Sequence, residues 1–261
     1  MLNYIKSELY RSLRSRQIRE FMFVAGILVL FMNLVLFFMK GQEGFRYSGT
    51  SFSFSMIVSM PMVYSYVAAD IAAMLYEGDG RNGVRGNSIA CGISRLEIFA
   101  GKCIVSLVTA LAILAVVLPV YILSAFALLE HTEPVVVSDM LMELPAAVLP
   151  ALSALILAVL LLELFDKTVF AILSWLGIVV LVPKALLLAG MALGEKSRFL
   201  LEFAMWLPEN FFSVGMRVNM SECAPIWDTA EGMARCLVSG TVWMLFFGAA
   251  GVLLLRRKEV S

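Results

Sequence analysis

Charged residues are scarce in this chain, and their scarcity excludes a water-soluble globular domain. Only 15% of the 261 residues are Asp, Glu, Lys or Arg, whereas 61% are apolar and the mean hydropathy is +0.90. That balance leaves too little polar surface to cover a globule of this length. The formal net charge is zero, so no bulk attraction to nucleic acid is implied. Most of the protein is therefore expected to lie in lipid.

Residues of common catalytic and metal sites are also few. His131 is the single histidine, and no cysteine has a histidine or a second cysteine at ligand spacing, so neither a zinc site nor a Ser/His pair can be assembled. No GxxxxGK[ST] sequence occurs, so the chain has no loop of that type for ATP phosphates. Cys223 and Cys236 are placed on the outer side, where a disulfide is chemically allowed. We expect no enzymatic activity and no bound cofactor.

Six long apolar stretches are present, each long enough to cross a bilayer as a helix. A spanning helix needs about 20 mostly apolar residues, and helices satisfy their own backbone groups where water is absent. No repeat or linker divides the chain. The sequence thus predicts one all-α polytopic membrane domain over residues 1–261, with six transmembrane helices. The predicted spans are residues 21–39, 54–76, 103–129, 142–165, 168–193 and 236–255.

The positive charges predict the orientation of these spans. If the N-terminus is cytosolic, most Lys and Arg fall on the cytosolic side, and the loop between spans three and four has none, as the positive-inside rule requires. Both termini are then cytosolic, in the plasma (inner) membrane of a bacterial cell, where the basic groups also contact anionic membrane lipids. The cytosolic set is Lys6, Arg11, Arg14, Arg16, Arg19, Arg81, Arg85, Arg95, Lys102, Lys167, Arg256, Arg257 and Lys258.

Residues 1–20 have the periodicity of a helix with one apolar face. Leu2, Ile5, Leu9 and Leu13 recur at spacings of three and four, with the basic residues off that stripe. This pattern is typical of a helix lying in the membrane interface. We predict an N-terminal amphipathic interfacial elbow helix that turns into the first span near residues 20–21. The alternative is that these residues are only a basic flank of the first span.

Candidate polar residues within the predicted spans are few: Asn33, Asp70 and Lys184. Asn33 is in the middle of the first span and is expected to hydrogen-bond across a helix interface. Asp70, about 10 Å from the cytosolic end of the second span, lines an inner vestibule, caps the neighbouring helix or contacts water near the headgroups. Lys184 is expected to extend outward towards the headgroups. Asn33 and Asp70 are the candidates for a transport pathway. No series of intramembrane carboxylates or histidines is apparent, which argues against a proton-driven mechanism.

The predicted cytosolic loop, residues 77–102, contains a glycine-rich segment followed by a short amphipathic helix. Ile89, Ile93, Leu96 and Phe99 fall on one helical face, with Arg95 exposed. A short helix held outside the bilayer can dock in a groove of a cytosolic partner. The alternative is a helix that rests on the lipid surface.

The order of these elements, and the tract NGVRGNSIACGISRLEIFAGK at residues 82–102, resemble the type 2 ABC transporter permeases. The organisational resemblance covers nearly the whole chain. Departures from the recurrent pattern of the family are Asn82 before Gly83, no Thr after it, and Gly86 with Asn87 where one Asn is more usual. Matching positions are Gly83, Val84, Arg85, Gly92, Ile93, Ser94, Arg95, Ile98, Phe99 and Lys102.

The resemblance implies that the loop is a coupling helix contacting a separate ABC ATP-binding subunit, which binds ATP and Mg. It also implies a second permease copy or a related permease, because six helices make half of a translocation pathway. Its expected function is the export of a peptide, an antibiotic or a lipid-like amphiphile by alternating access. The implied coupling residues are Arg85, Ile89, Gly92, Ile93, Ser94, Arg95, Leu96, Phe99 and Lys102.

Residues 194–235 form a long, partly apolar outer segment. In the family this region holds a pair of short re-entrant helices, whereas a helix pair on the lipid surface would have the same sequence pattern. Trp206, Phe211 and Phe212 are expected to be interfacial anchors.

A different class of function is the alternative: an ATP-independent secondary carrier, or a non-transporting assembly or sensor subunit. A carrier is expected to have a charged or helix-broken site near the bilayer midplane, and the sequence shows little sign of one.

Overall fold

The chain forms a bundle of long apolar helices. The computed structural model describes residues 1–40, 42, 47–82, 90–165, 167–193, 197–219 and 222–260, apart from the side chains of residues 79–82 and 258–260. Among these residues, five helices are long and apolar enough to cross a membrane, or six if one bent pair is a single span. The predicted class, an all-α polytopic membrane protein, is confirmed at that level.

The elements are as follows in chain order. The helices are α1 (Leu2–Arg14), α2 (Arg16–Met39), α3 (Thr50–Val58), α4 (Val63–Asn82), α5 (Arg95–Leu128), α6 (Val137–Leu164), α7 (Thr168–Leu176), α8 (Val182–Leu193), α9 (Arg198–Ala204), α10 (Pro208–Val214) and α11 (Ala230–Val260). A π-helical turn, Gly177–Leu181, joins α7 and α8, and a short antiparallel hairpin of β1 (Arg217–Val218) and β2 (Cys223–Ala224) precedes a 3₁₀ turn, Ile226–Asp228.

The second predicted span is not one continuous helix. It consists of α3 and α4, whose axes are bent by 63° at the break between them. Pro61 lies in this break, and proline has no amide hydrogen to donate and disfavours helical geometry in the residue before it. Prediction of a single helix over residues 54–76 is therefore wrong, and the proline accounts for the difference.

The N-terminal helix is separate from the first span, but it ends earlier than predicted. The break is at Ser15, which is extended, rather than at residues 20–21. Glu8 and Ser12 are the buried residues of α1, whereas Leu2 and Leu13 are exposed.

Successive residues of α1 contact successive residues of α5 in the same chain direction. The N-terminal amine lies 3.8 Å from Glu97, Tyr4 packs against Gly101, and the Ser12 and Thr109 hydroxyls are 2.7 Å apart. α1 therefore runs parallel to the start of α5, and the polar groups that would be exposed on an isolated helix are used to join the two.

α6 is the central helix of the bundle. Of its most apolar 18-residue window, 67% is buried, against 11–22% for the other four long helices. It packs against α4 on one side and α11 on another, and Ala154, Leu155 and Val159 are fully or almost fully buried. The other long helices expose apolar side chains, as expected for surfaces that face lipid.

The outer segment folds back on the ends of α8 and α11. A side chain at Gly190 would lie 3.0 Å from the backbone of Leu201, so glycine allows α9 to approach α8 closely. Phe211 and Phe212 are buried, the second against Trp227, whereas Trp206 is partly exposed. Prediction of Phe211 and Phe212 as interfacial anchors is therefore wrong, because their rings belong to the core.

Candidate functional site

The tract implied to couple to a partner contains the first turns of α5. Gly92 has a φ of +84°, a left-handed conformation that glycine adopts at little cost. Ser94 then caps α5: its hydroxyl accepts from the Glu97 amide, and the Glu97 carboxylate accepts from the Ser94 amide, both at 3.2 Å. From Arg95 the helix continues to Leu128 without a break. The predicted short helix is therefore the start of the third span in the described residues.

The implied coupling residues divide into an exposed group and a buried group. Arg85 and Ile89 lie outside the described residues. Gly92 and Ser94 are exposed, whereas Ile93, Arg95 and Leu96 are partly buried. Phe99 and Lys102 face the interior of the bundle. The surface available to a partner in this region is therefore the turn at residues 90–96.

Phe99 is a packing residue rather than a surface contact. It is 6% exposed and belongs to the core formed with α4, α6 and α11. A side chain at Gly251 would lie 2.7 Å from the Phe99 ring, so the ring occupies the space beside this glycine. The close approach links the start of α5 to the end of α11.

Lys102 is part of a buried group that we call the inner ionic cluster: Glu8, Arg11, Tyr76, Lys102 and Glu163. Its Nζ lies 2.5 Å from Glu8 Oε2, with 1% and 5% of the two side chains exposed, and Arg11 is 2.6 Å from the same oxygen. The Lys102 ammonium also lies 5.5 Å from the centre of the Tyr76 ring. The Tyr76 hydroxyl donates to Glu163 Oε1 at 2.8 Å.

The inner ionic cluster joins four helices at the end of the bundle predicted to face the cytosol. Glu8 and Arg11 come from α1, Tyr76 from α4, Lys102 from α5 and Glu163 from α6. Removal of one partner of a buried ion pair typically costs about 3–5 kcal/mol, so these contacts hold the helices in one arrangement. The carboxylates of this cluster were not identified from the sequence, although Glu163 stands out as a charge inside a predicted span.

A second polar group, the outer polar cluster, consists of Asn33, Ser53, Tyr121 and Ser124. Asn33 donates to the Ser124 hydroxyl at 2.7 Å and accepts from the Ser53 hydroxyl at 2.7 Å. Ser53 and Tyr121 also hydrogen-bond to each other. The predicted contact of Asn33 across a helix interface is therefore confirmed, and it joins α2, α3 and α5.

Glu143 lies beside the outer polar cluster and was also missed in the sequence, although it falls inside a predicted span. It is completely buried in α6 and interacts with Tyr64 on α4. Neither its two carboxylate oxygens nor the Tyr64 hydroxyl makes a hydrogen bond of standard geometry in the described residues. A buried polar group without such a bond costs free energy and calls for an explanation.

An apolar cavity of about 330 Å³ lies between α2, α4, α5 and α6. Tyr64 and Tyr121 are among its lining residues, and the others are aliphatic or aromatic, including Phe21, Leu111 and Leu155. The cavity thus has the size and character of a site for an apolar molecule.

Asp70 is exposed and lines a smaller cavity of about 220 Å³ with Tyr66 and Trp175. It makes no hydrogen bond or ion pair with the residues that the structure describes. Lys184 pairs with Glu209 of the outer segment at 3.0 Å and is 53% exposed.

The four cysteines are free thiols, so the disulfide that the sequence allowed between Cys223 and Cys236 is not formed. Cys236 is buried in α11, and the Cys223 thiol donates to Asp139 at 3.4 Å. Partial burial, followed by the nearby Asp139 carboxylate, raises the pKa of Cys223 to about 12. The same two causes raise the pKa of Asp228.

Across the described part of the chain, no group of three His, Cys, Asp or Glu residues is placed to hold a metal ion. Comparison of the chain with protein-family models, with curated proteins and with solved structures finds no significant match.

Proposed function

We propose that this chain is the membrane-spanning permease subunit of an ATP-driven ABC exporter. The observation that carries this proposal is the start of α5, where the turn at residues 90–96, exposed at Cys91, Gly92 and Ser94, leads directly into a membrane-spanning helix. A partner that moves this turn moves the helix, because no loop intervenes to absorb the motion. Six spans, with the bent pair counted as one, and an outer segment of short helices agree with the same organisation.

In this proposal ATP and Mg bind to a separate ATP-binding subunit, which docks on the turn. Closure of two such subunits displaces the start of α5. Phe99 against Gly251 passes the displacement to α11, and Lys102 with Glu8 passes it to α1. Two permease copies, or this chain and a related permease, then reorient around their interface and expose the pathway to the outside.

The substrate in this proposal is a peptide, an antibiotic or a lipid-like amphiphile. The cavity of about 330 Å³ supports an apolar or amphiphilic molecule over a sugar, because nearly all of its lining is aliphatic or aromatic. Both termini are cytosolic in this orientation.

Cys91 offers a direct test of the docking surface, because its side chain is exposed in the turn. In inside-out vesicles from native cells, a thiol-to-amine cross-linker is expected to join Cys91 to a P-loop ATPase of the ABC type. In detergent, where both sides of the protein are accessible, Cys223 serves as an internal comparison: its raised pKa leaves very little thiolate at neutral pH, so it reacts slowly at neutral pH and faster as the pH rises towards 12.

A Cys91→Ser variant is the matched control and is expected to lose the cross-link while keeping its level in the membrane. Efficient modification of Cys91 without any ATPase in the product would contradict docking at this turn.

A secondary carrier that does not use ATP is the second candidate function, and two observations favour it. The second span is broken by a bend of 63°, and the fully buried Glu143 lies next to the break. Discontinuous helices and intramembrane carboxylates are common at carrier binding sites. Uptake of an amphiphilic dye into inside-out vesicles separates the two: an exporter requires ATP hydrolysis, whereas a carrier responds to an imposed proton gradient without ATP.

A further inference from the structure

Among the residues that the structure describes, Glu143 is a fully buried carboxyl with no standard hydrogen bond. It lies six residues after the start of α6, about 9 Å along the helix axis, and its exposed fraction is zero. Glu8 and Glu163 are also buried within the bundle, but Glu8 pairs with Lys102 and Arg11, and Glu163 accepts from Tyr76.

The groups that face Glu143 supply no compensating positive charge. Tyr64 approaches it from α4, and Tyr121 interacts with it from α5. Within the described residues, no charged side chain of α3, α7 or α11 interacts with it, and it takes part in no ion pair. A carboxylate in such surroundings would be an uncompensated charge in a medium of low dielectric constant.

The free energy of an isolated buried charge is so unfavourable that such a group takes up a proton instead. The same holds inside a bilayer, where ionisable residues without a partner are expensive and mark ion or proton sites. In the conformation described here, Glu143 is therefore a neutral carboxylic acid.

The position of Glu143 beside the broken span provides a way to release that proton. Tyr64 is the second residue of α4 and follows the 63° bend directly. Rotation of α4 about the break moves Tyr64 away from α6, and Tyr64 also lines the apolar cavity. Opening at this point would connect Glu143 with the cavity and with any water that enters it.

We propose that Glu143 is an exchangeable proton-binding site, which holds its proton while the α3–α4 break is in the arrangement described and releases it when α4 moves. By linkage, a state that exposes Glu143 is favoured as the pH rises, and the closed state is favoured as the pH falls. This inference does not depend on ATP-driven export, because it concerns the protonation of the bundle itself.

Infrared spectroscopy of the full-length protein in lipid nanodiscs tests the proposal. The spectrum of the wild type minus that of Glu143→Gln is expected to show the C=O band of a protonated carboxyl at neutral pH, where exposed carboxyls are ionised. Transfer to D₂O is expected to shift this band within the time in which the bundle opens. The matched control is Glu163→Gln, which alters a hydrogen-bonded carboxyl. The spectrum of this variant should still contain the band, because Glu143 is unchanged in it.

Glutamine has nearly the shape of a neutral glutamic acid, so Glu143→Gln is expected to fold. If this variant does not fold, Glu143→Met also removes the carboxyl, and its spectrum can be subtracted from that of the wild type instead. Absence of the band from the difference spectrum would show that Glu143 is ionised and would overturn the proposal. A band that is present but does not shift in D₂O would show a permanently closed acid and would overturn exchange. Either result leaves the ATPase cross-link from Cys91 unaffected, so the two proposals can fail separately.

Discussion

Whether a charged side chain of this protein is buried depends on the groups that surround it rather than on its distance from the predicted membrane edge. Lys102 begins the third predicted span, where a lysine would ordinarily extend into water. Instead it is buried against Glu8, from a helix almost a hundred positions earlier in the chain. The Glu8 carboxylate oxygen lies 2.5 Å from its Nζ, so the two buried groups compensate each other.

Glu8→Gln is predicted to destabilise the protein by about 3–5 kcal/mol, because it removes the carboxylate next to a buried ammonium. The thermal unfolding midpoint in nanodiscs should fall clearly. Glu20→Gln removes the carboxylate of an exposed pair with Arg16 and should leave the midpoint almost unchanged, since such pairs contribute little. Equal midpoints for the two variants would show that Glu8 does not hold α1 to α5.

Only some of the contacts of these polar residues can be predicted from the sequence. Asn33 was predicted to bond across a helix interface because an amide in the middle of a span has no other favourable partner, and it does so. Glu143 and Glu163 can both be found in the sequence as carboxyls inside a predicted span. Glu163 accepts a hydrogen bond from Tyr76, whereas Glu143, beside Tyr64, makes none of standard geometry with the described residues. Both tyrosines come from another span, and no local pattern contains that information.

At the scale of elements, hydropathy predicts the long helices well because the bilayer imposes their length. The fifth predicted span, residues 168–193, has the bounds of the observed α7–α8 unit. The break in the second span was predictable from Pro61, since proline interrupts helices by a local mechanism. The packing of α1 on α5 was not, because the apolar stripe of α1 predicts only a helix in the membrane interface, whereas Glu8 and Ser12 are buried by contacts with Lys102 and Thr109, about a hundred residues later in the chain.

Packing of α11 on α6 provides a prediction at this scale. A side chain at Gly240 would lie 2.6–2.7 Å from Leu149 and Pro150, including backbone that cannot move aside, whereas Gly248 has open space around it. Gly240→Ala is therefore predicted to cost about 1–3 kcal/mol through overpacking. Gly248→Ala, in the same helix, is the matched control and should be neutral or slightly stabilising. Thermal unfolding of both variants in nanodiscs measures the difference, and similar midpoints would contradict this helix contact.

The molecule as a whole has different polar architecture at its two ends. The inner ionic cluster connects α1, α4, α5 and α6 through side-chain contacts at the end predicted to face the cytosol. The opposite half, predicted to face outward, contains the broken span, the outer polar cluster and Glu143, which makes no standard hydrogen bond with the described residues. In the proposed mechanism, the first half is rigid and receives a displacement, and the helices of the opposite half change position.

Recovery of the protein from its native membrane tests the central claim most directly. The chain would be extracted in mild detergent or nanodiscs, and everything that remains bound would be identified and quantified by mass spectrometry. The permease proposal predicts a P-loop ATPase with an ABC signature at one copy per copy of this chain. Recovery of this chain alone, under several extraction conditions, would contradict it and favour a carrier that does not use ATP.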